Sequence, residues 1–107
     1  MPFDLLTQAL SLIPLLKKPC EKIARRDPDL ARQVRRAGSS VPLNVSEGRR
    51  RLGRDRAHLF RIALGSASEV STALEVAVGW GYLERSEIAE VLAVLDRIRA
   101  MAWRPSR

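Results

Sequence analysis

The chain has 107 residues, the size of one compact domain and too short for two units that each bury a core. Hydrophobic residues make up 46% of the composition and charged residues 29%, which excludes a disordered chain. The formal net charge is +7, and the single cysteine, Cys20, excludes an intrachain disulfide and the cysteine pairs that hold zinc.

Leu6, Ala9, Leu10, Ile13, Leu16, Cys20 and Ile23 recur at helical spacing and predict a first amphipathic helix over about 4–25. Pro14 and Pro19 fall inside it, where each removes a hydrogen bond and crowds the preceding turn, so a kink or an early break is expected. Met1-Pro2-Phe3-Asp4 has no basic region before the apolar stretch, and Pro14, Lys17 and Lys18 cut that stretch short of a membrane span. Neither an export signal nor a membrane anchor is expected, and with one cysteine the chain suits the cytoplasm.

Asp27 followed by Pro28 predicts a helix start: a carboxylate to cap free amides, then a proline where its missing N–H costs nothing. The second helix runs over about 28–50 on a stripe of Leu30, Val34, Ala37, Val41 and Val45, bent or split near Pro42. Gly48 and Gly53 bracket Arg49, Arg50, Arg51 and Leu52, which reads as a basic turn that reverses the chain. The third helix is predicted over about 55–78, with Phe60, Ala63, Leu64, Ala67, Val70, Leu74 and Ala77 on one face and Leu59, Ile62, Ala73 and Val76 beside it. So wide an apolar surface implies contacts on two sides. Gly79-Trp80-Gly81-Tyr82 ends this helix. A fourth helix over about 85–102 starts at Glu84 with Glu87, or at Ser86, and presents Ile88, Val91, Leu92, Leu95, Ile98 and Ala102. Trp103 to Arg107 is expected to fray. No segment alternates at the two-residue period of a strand. The expected fold is all-α, one domain over 1–107 forming an antiparallel up-down-up-down four-helix bundle.

Between Arg25 and Arg61 lie eleven arginines against four acids, so this third of the chain carries the whole positive excess. Arginine outnumbers lysine sixteen to three, which favours bidentate contact with phosphate, although a GC-rich genome produces the same bias. Arg35, Arg36, Arg49, Arg50, Arg51, Arg54 and Arg56 are the candidate contacts to RNA or DNA. No base-reading motif is present, so contact would be to backbone and shape. A protein scaffold whose basic face docks an acidic partner, such as a polymerase or reverse transcriptase, is the alternative.

No catalytic residue is assigned. His58 stands three residues from Asp55, but no nucleophile or further metal ligand accompanies the pair. No serine sits in a nucleophile elbow, and Gly48 to Gly53 lacks a phosphate-loop lysine. Neither a metal nor a cofactor is expected.

The most distinctive text is Arg35-Arg36-Ala37-Gly38-Ser39-Ser40-Val41-Pro42-Leu43-Asn44-Val45-Ser46-Glu47-Gly48, followed by Phe60-Arg61-Ile62-Ala63-Leu64-Gly65-Ser66-Ala67-Ser68-Glu69. Small residues here let helices approach closely, and the hydroxyls of Ser39 and Ser40 can bond groups freed by Pro42. Glu47 and Glu69 read as carboxylates between helices, paired with Arg36 or Arg61. From about Leu30 to Leu83, through these motifs and the Gly81-Tyr82 turn, the chain resembles the four-helix bundle proteins encoded within intervening sequences of bacterial 23S ribosomal RNA genes. In that resemblance Ser39, Ser40, Pro42, Asn44, Glu47, Gly48, Gly65, Ser66 and Glu69 are structural. It implies a homo-oligomer, commonly a pentameric ring, without established enzymatic activity. Related proteins include the accessory variability determinant of diversity-generating retroelements, which looks like a basic ring that binds its reverse transcriptase and nucleic acid. The first helix departs from the pattern by lacking an early tryptophan and carrying Pro14 and Pro19.

Overall fold

Four helices account for nearly all of the structure, a computed structural model that describes residues 4–103: α1 Leu5–Ala24, α2 Pro28–Arg49, α3 Gly53–Gly79 and α4 Ala89–Trp103. A short 3₁₀ turn, Arg85–Glu87, precedes α4. The end of the tail expected to fray, residues 104–107, lies outside the described residues.

Local chemistry accounts for each boundary. Asp4 caps α1 by accepting from the Thr7 amide at 2.7 Å, and Asp27 caps α2 by accepting from the Leu30 amide at 3.1 Å, with Pro28 opening the helix. At the end of α3 the Tyr82 amide bonds the Ala77 carbonyl and the Gly81 amide bonds the Val78 carbonyl, both at 2.9 Å. This is a Schellman closure, and it requires the left-handed backbone that Gly81 adopts at φ 81°. Before α4, Glu84 and Glu87 form a reciprocal capping box in which the Glu84 amide donates to Glu87 Oε1 at 2.7 Å; the cap is Glu84 rather than Ser86.

The expected breaks do not occur, since α1 is continuous through Pro14 and Pro19 and α2 through Pro42. Pro14 is exposed, so water can reach the carbonyl it leaves unpaired; Pro19 and Pro42 are buried and add their rings to the packing. Fully buried Leu12 and Ile23 flank the two prolines of α1, and Val41 and Val45 flank Pro42, so tertiary burial holds the helical path across each.

Helix α2 packs on α1 and α3, and α4 closes on both α1 and α3. Tyr82 donates to Asp27 at 3.4 Å, and Lys22 meets Glu87 at 3.0 Å. These contacts place the end of α1, the start of α2, the end of α3 and the start of α4 at one end of the bundle, which is the up-down-up-down order. The core runs along the axis through Leu12, Ile23, Val34, Val41, Val45, Val70, Leu74, Ile88, Leu95 and Ile98, in a body of 42 × 24 × 19 Å.

The α2/α3 contact is the most extensive between helices of the described residues. Gly48 lies in the last turn of α2, within the expected helix, and is buried: a β-carbon there would stand 2.6 Å from Phe60 Cε1 and 3.3 Å from Leu59 Cβ. Further along the same seam the Ser66 hydroxyl bonds the Ser40 hydroxyl at 2.7 Å, and Asn44 Nδ2 donates to both Ser40 Oγ and the Ser40 carbonyl at 2.9 Å. Ser40 therefore joins the two helices instead of serving groups freed by Pro42. Ser39, by contrast, is exposed. Gly65 also falls outside the seam, with nothing within 4 Å of a β-carbon built on it.

Candidate functional site

The turn between α2 and α3 gathers the densest positive charge. Helix α2 ends at Arg49, the chain turns through Arg50, Arg51 and Leu52, and α3 opens at Gly53 with φ 59°. Five arginines, at 49, 50, 51, 54 and 56, therefore leave one end of the bundle together. Two carboxylates lie among them, and a third, the α1 cap Asp4, is near enough that the Arg49 charge adds to the Thr7 bonds that lower its carboxyl. Glu47 accepts from Arg51 Nη2 at 2.8 Å and Nε at 3.1 Å, and stands 3.5 Å from Arg50. Asp55 is 3.9 Å from Arg51. The bonds from Arg51, then the charges of Arg51 and Arg50, hold the Glu47 carboxyl below its ordinary range.

Arg49 and Arg54 are exposed and form no ion pair among the described residues. Arg56 differs: it is half-buried, its guanidinium sits 5.4 Å over the Phe60 ring, and its Nε has no hydrogen-bond partner among the described residues. The first turn of α3 adds to the field, because Leu52 occupies the N-cap position and makes no side-chain cap bond. Leu52 itself is 85% exposed at the tip of the turn, flanked by arginines.

Arg35 and Arg36 are not brought into this cluster. They lie mid-α2, about 20 Å from Arg49 at the helical rise of about 1.5 Å per residue. Both are exposed, and Arg35 lies on the α1 side beside Lys17 and Cys20. The carboxylates also find other partners than those expected: Glu47 pairs with Arg50 and Arg51 rather than Arg36, and Glu69 is exposed without an ion pair among the described residues. The cation facing Asp55 is Arg51, while His58 is exposed one turn along α3. Among the described residues no group of three or more His, Cys, Asp or Glu could hold a metal, and no helix is long and apolar enough to cross a membrane.

One feature that periodicity alone only half revealed is the outer side of α3. Ile62 and Val76 remain 38% and 41% exposed, with Trp80 exposed beyond them, whereas Ala73 is buried and Leu59 half-buried, so the second side of the wide apolar surface is partly uncovered in the single chain.

The model of the 23S rRNA-intervening sequence protein family matches residues 7–104, nearly the whole chain. The chain belongs to this family. Its fold is also that of a crystal structure of a protein with unknown function from the S23 ribosomal protein family of Bacteroides thetaiotaomicron. That likeness has a TM-score of 0.81 at 18% identity over 92% of this chain and 94% of the other, and at such identity it speaks for the fold alone. No curated protein matches the sequence. For this 23S rRNA-intervening sequence protein, Ser40, Asn44, Gly48 and Ser66 of the motifs that carry the resemblance build the α2/α3 seam, while Gly38 packs on α1 and Ser39, Gly65 and Glu69 are exposed.

Proposed function

We propose that this protein is a non-enzymatic, cytoplasmic accessory that binds the backbone of RNA or DNA through the basic turn between α2 and α3, and that it works as a homo-oligomer. The observation that carries the reading is the concentration of Arg49, Arg50, Arg51, Arg54 and Arg56 at one end of the bundle, where five guanidinium groups outnumber the nearby carboxylates of Glu47, Asp55 and Asp4. A concentrated field of this kind attracts polyphosphate and contacts it without reading bases. Arg49 and Arg54, which form no ion pair among the described residues, supply the first contacts, and Arg50 and Arg51 exchange Glu47 for phosphate. Arg56 backs the surface through its stack on Phe60.

Self-association rests on α3. Its uncovered Ile62, Val76 and Trp80 need a partner surface, and Gly65 and Gly79 leave room along the helix for a second backbone. The family resemblance implies a ring of five copies, which would multiply the basic turns around one assembly.

The test is the affinity of the purified protein for short labelled RNA and DNA across a salt series, with the assembly state measured by sedimentation in the same buffers. Micromolar or tighter binding that weakens steeply with salt is the expected result. Undetectable binding at low salt, with one stoichiometric protein partner captured after nuclease treatment, would replace this reading with that of a protein scaffold docking an acidic partner.

A further inference from the structure

Away from the basic turn, the outer groove between α1 and α2 opens into a cavity of about 350 Å³ lined by Ile13, Pro14, Leu16, Cys20 and Gly38, with Lys17, Arg35 and Ser39 also on its wall. The lining is mostly apolar, and its size falls at the lower end of the range for small-molecule sites, roughly 300–1,000 Å³. Sequence explains why the space exists. Pro14 offers a compact ring at the rim, while Gly38 lets the Leu16 side chain lie against the α2 backbone, since a β-carbon at 38 would meet Leu16 Cδ1 at 2.7 Å. Cys20, among the lining residues, is only 2% exposed. Burial pushes that thiol up, with the Arg35 charge acting in the opposite sense and Glu21 reinforcing the rise.

The two cations decide what fits. Lys17 and Arg35 are exposed on opposite helices and neither forms an ion pair among the described residues; Glu21, one turn from Lys17, is the nearby acid and pairs with neither. An apolar pocket bounded by an ammonium and a guanidinium fork matches a molecule with a hydrocarbon body and one carboxylate, which the planar Arg35 group can accept in a bidentate pair.

We propose that the α1/α2 groove is a binding site for a small amphipathic monocarboxylate of the medium-chain fatty-acid type, its alkyl chain lying between Ile13, Pro14, Leu16 and Gly38 and its carboxylate held by Lys17 and Arg35. The site is independent of the basic turn and of any nucleic-acid role.

Cys20 makes the site testable in the unmodified protein, because it is among the residues that line the cavity and is the chain's single cysteine. Decanoate, kept below its micelle-forming concentration, should slow alkylation of Cys20 by iodoacetamide saturably, by about tenfold or more at full occupancy, and calorimetry should give the same dissociation constant. Shortening to octanoate should weaken binding by roughly fourfold per methylene lost. Decylammonium should protect at least tenfold less well. The K17Q/R35Q variant, altered only at exposed positions, should keep its melting temperature and lose the preference for decanoate over decylammonium. Equal protection by both amphiphiles, or no saturable effect of decanoate in either assay, would overturn the proposal. So would protection that rises with protein concentration in the absence of decanoate, which would mean that a second copy of the chain occupies the groove.

Discussion

Two glycines in the helices of this bundle call for opposite responses to the same substitution. Replacing glycine by alanine in a helix interior ordinarily stabilises by about 1 kcal/mol, because the glycine backbone loses more freedom on folding. At Gly48 that gain meets an occupied site: the new methyl would stand 2.6 and 2.7 Å from two carbons of the Phe60 ring and 3.3 Å from Leu59 Cβ. Phe60 is itself buried and stacked beneath Arg56, and Leu59 Cβ is fixed to the α3 backbone, so relief requires α2 and α3 to separate. Overpacking of this kind costs about 1–3 kcal/mol, and with two contacts in conflict the upper part of that range applies. The net expectation for Gly48→Ala is a loss of about 1–2 kcal/mol. Gly65→Ala meets nothing within 4 Å and should gain up to about 1 kcal/mol. For a domain of this size, 1 kcal/mol moves the melting temperature by roughly 4–8 °C. Thermal unfolding followed by far-UV circular dichroism at low protein concentration should therefore show Gly48→Ala melting several degrees below the parent and Gly65→Ala several degrees above it. If both variants rise together, the close approach of α2 and α3 at Gly48 is wrong.

Ser66→Ala should cost about 1 kcal/mol by leaving the Ser40 hydroxyl without its partner across the seam, and the Ser40→Ala/Ser66→Ala double variant should lose less than the sum of the two singles. Strict additivity in chemical denaturation would rule out a coupled pair. Acid should destabilise the fold through exposed carboxylates. The Glu84 amide, followed by the Lys22 bond, lowers Glu87, and Arg85 lowers Glu75. A carboxyl depressed in the folded state contributes stability that is present above its ordinary value of 4.5 and lost as pH falls through the lower folded value. The melting temperature should hold steady above about pH 5 and fall below it. Glu87→Gln, which can still accept from the Glu84 amide but carries no charge, should flatten part of that fall; an unchanged acid profile would remove Glu87 from the account.

Much of this fold was legible because its signals are local. Asp27-Pro28, the Glu84/Glu87 capping box and the Gly81 closure are short-range chemistry, and all three stand in the structure. Of the two outcomes expected at the prolines, a kink or a break, the break is excluded because its cost is local, whereas the burial around Leu12, Ile23, Val41 and Val45 that outweighs it comes from other helices. The role of Gly48 was hidden for the same reason. Next to three arginines it reads as the border of a turn, and only the position of Phe60 on α3 reveals a site that cannot hold a side chain. The candidate contacts were legible as composition but not as geometry. Sequence proximity groups Arg49 to Arg56 correctly, but it does not show that Arg51 is engaged with Glu47, that Arg56 is half-buried on Phe60, or that Arg35 belongs to another surface beside Lys17. The α1/α2 cavity left no trace in the sequence, since it depends on how Gly38 and Pro14 face each other across two helices.

The central claim is that charge acts from the turn between α2 and α3, and it is tested most directly by comparing two variants of equal net charge. R49Q/R50Q/R51Q removes three arginines from the turn; K18Q/R25Q/R97Q removes three exposed cations that form no ion pair among the described residues and lie outside it. With short duplex DNA, each phosphate contact contributes about 0.9 to the slope of log affinity against log salt. The turn variant should therefore bind more weakly and lose roughly 2–3 from that slope, the lower figure applying if Glu47 keeps one arginine engaged. The control should retain the parent slope to within about half a contact. Equal losses in the two variants, or an unchanged slope in the turn variant, would contradict the account.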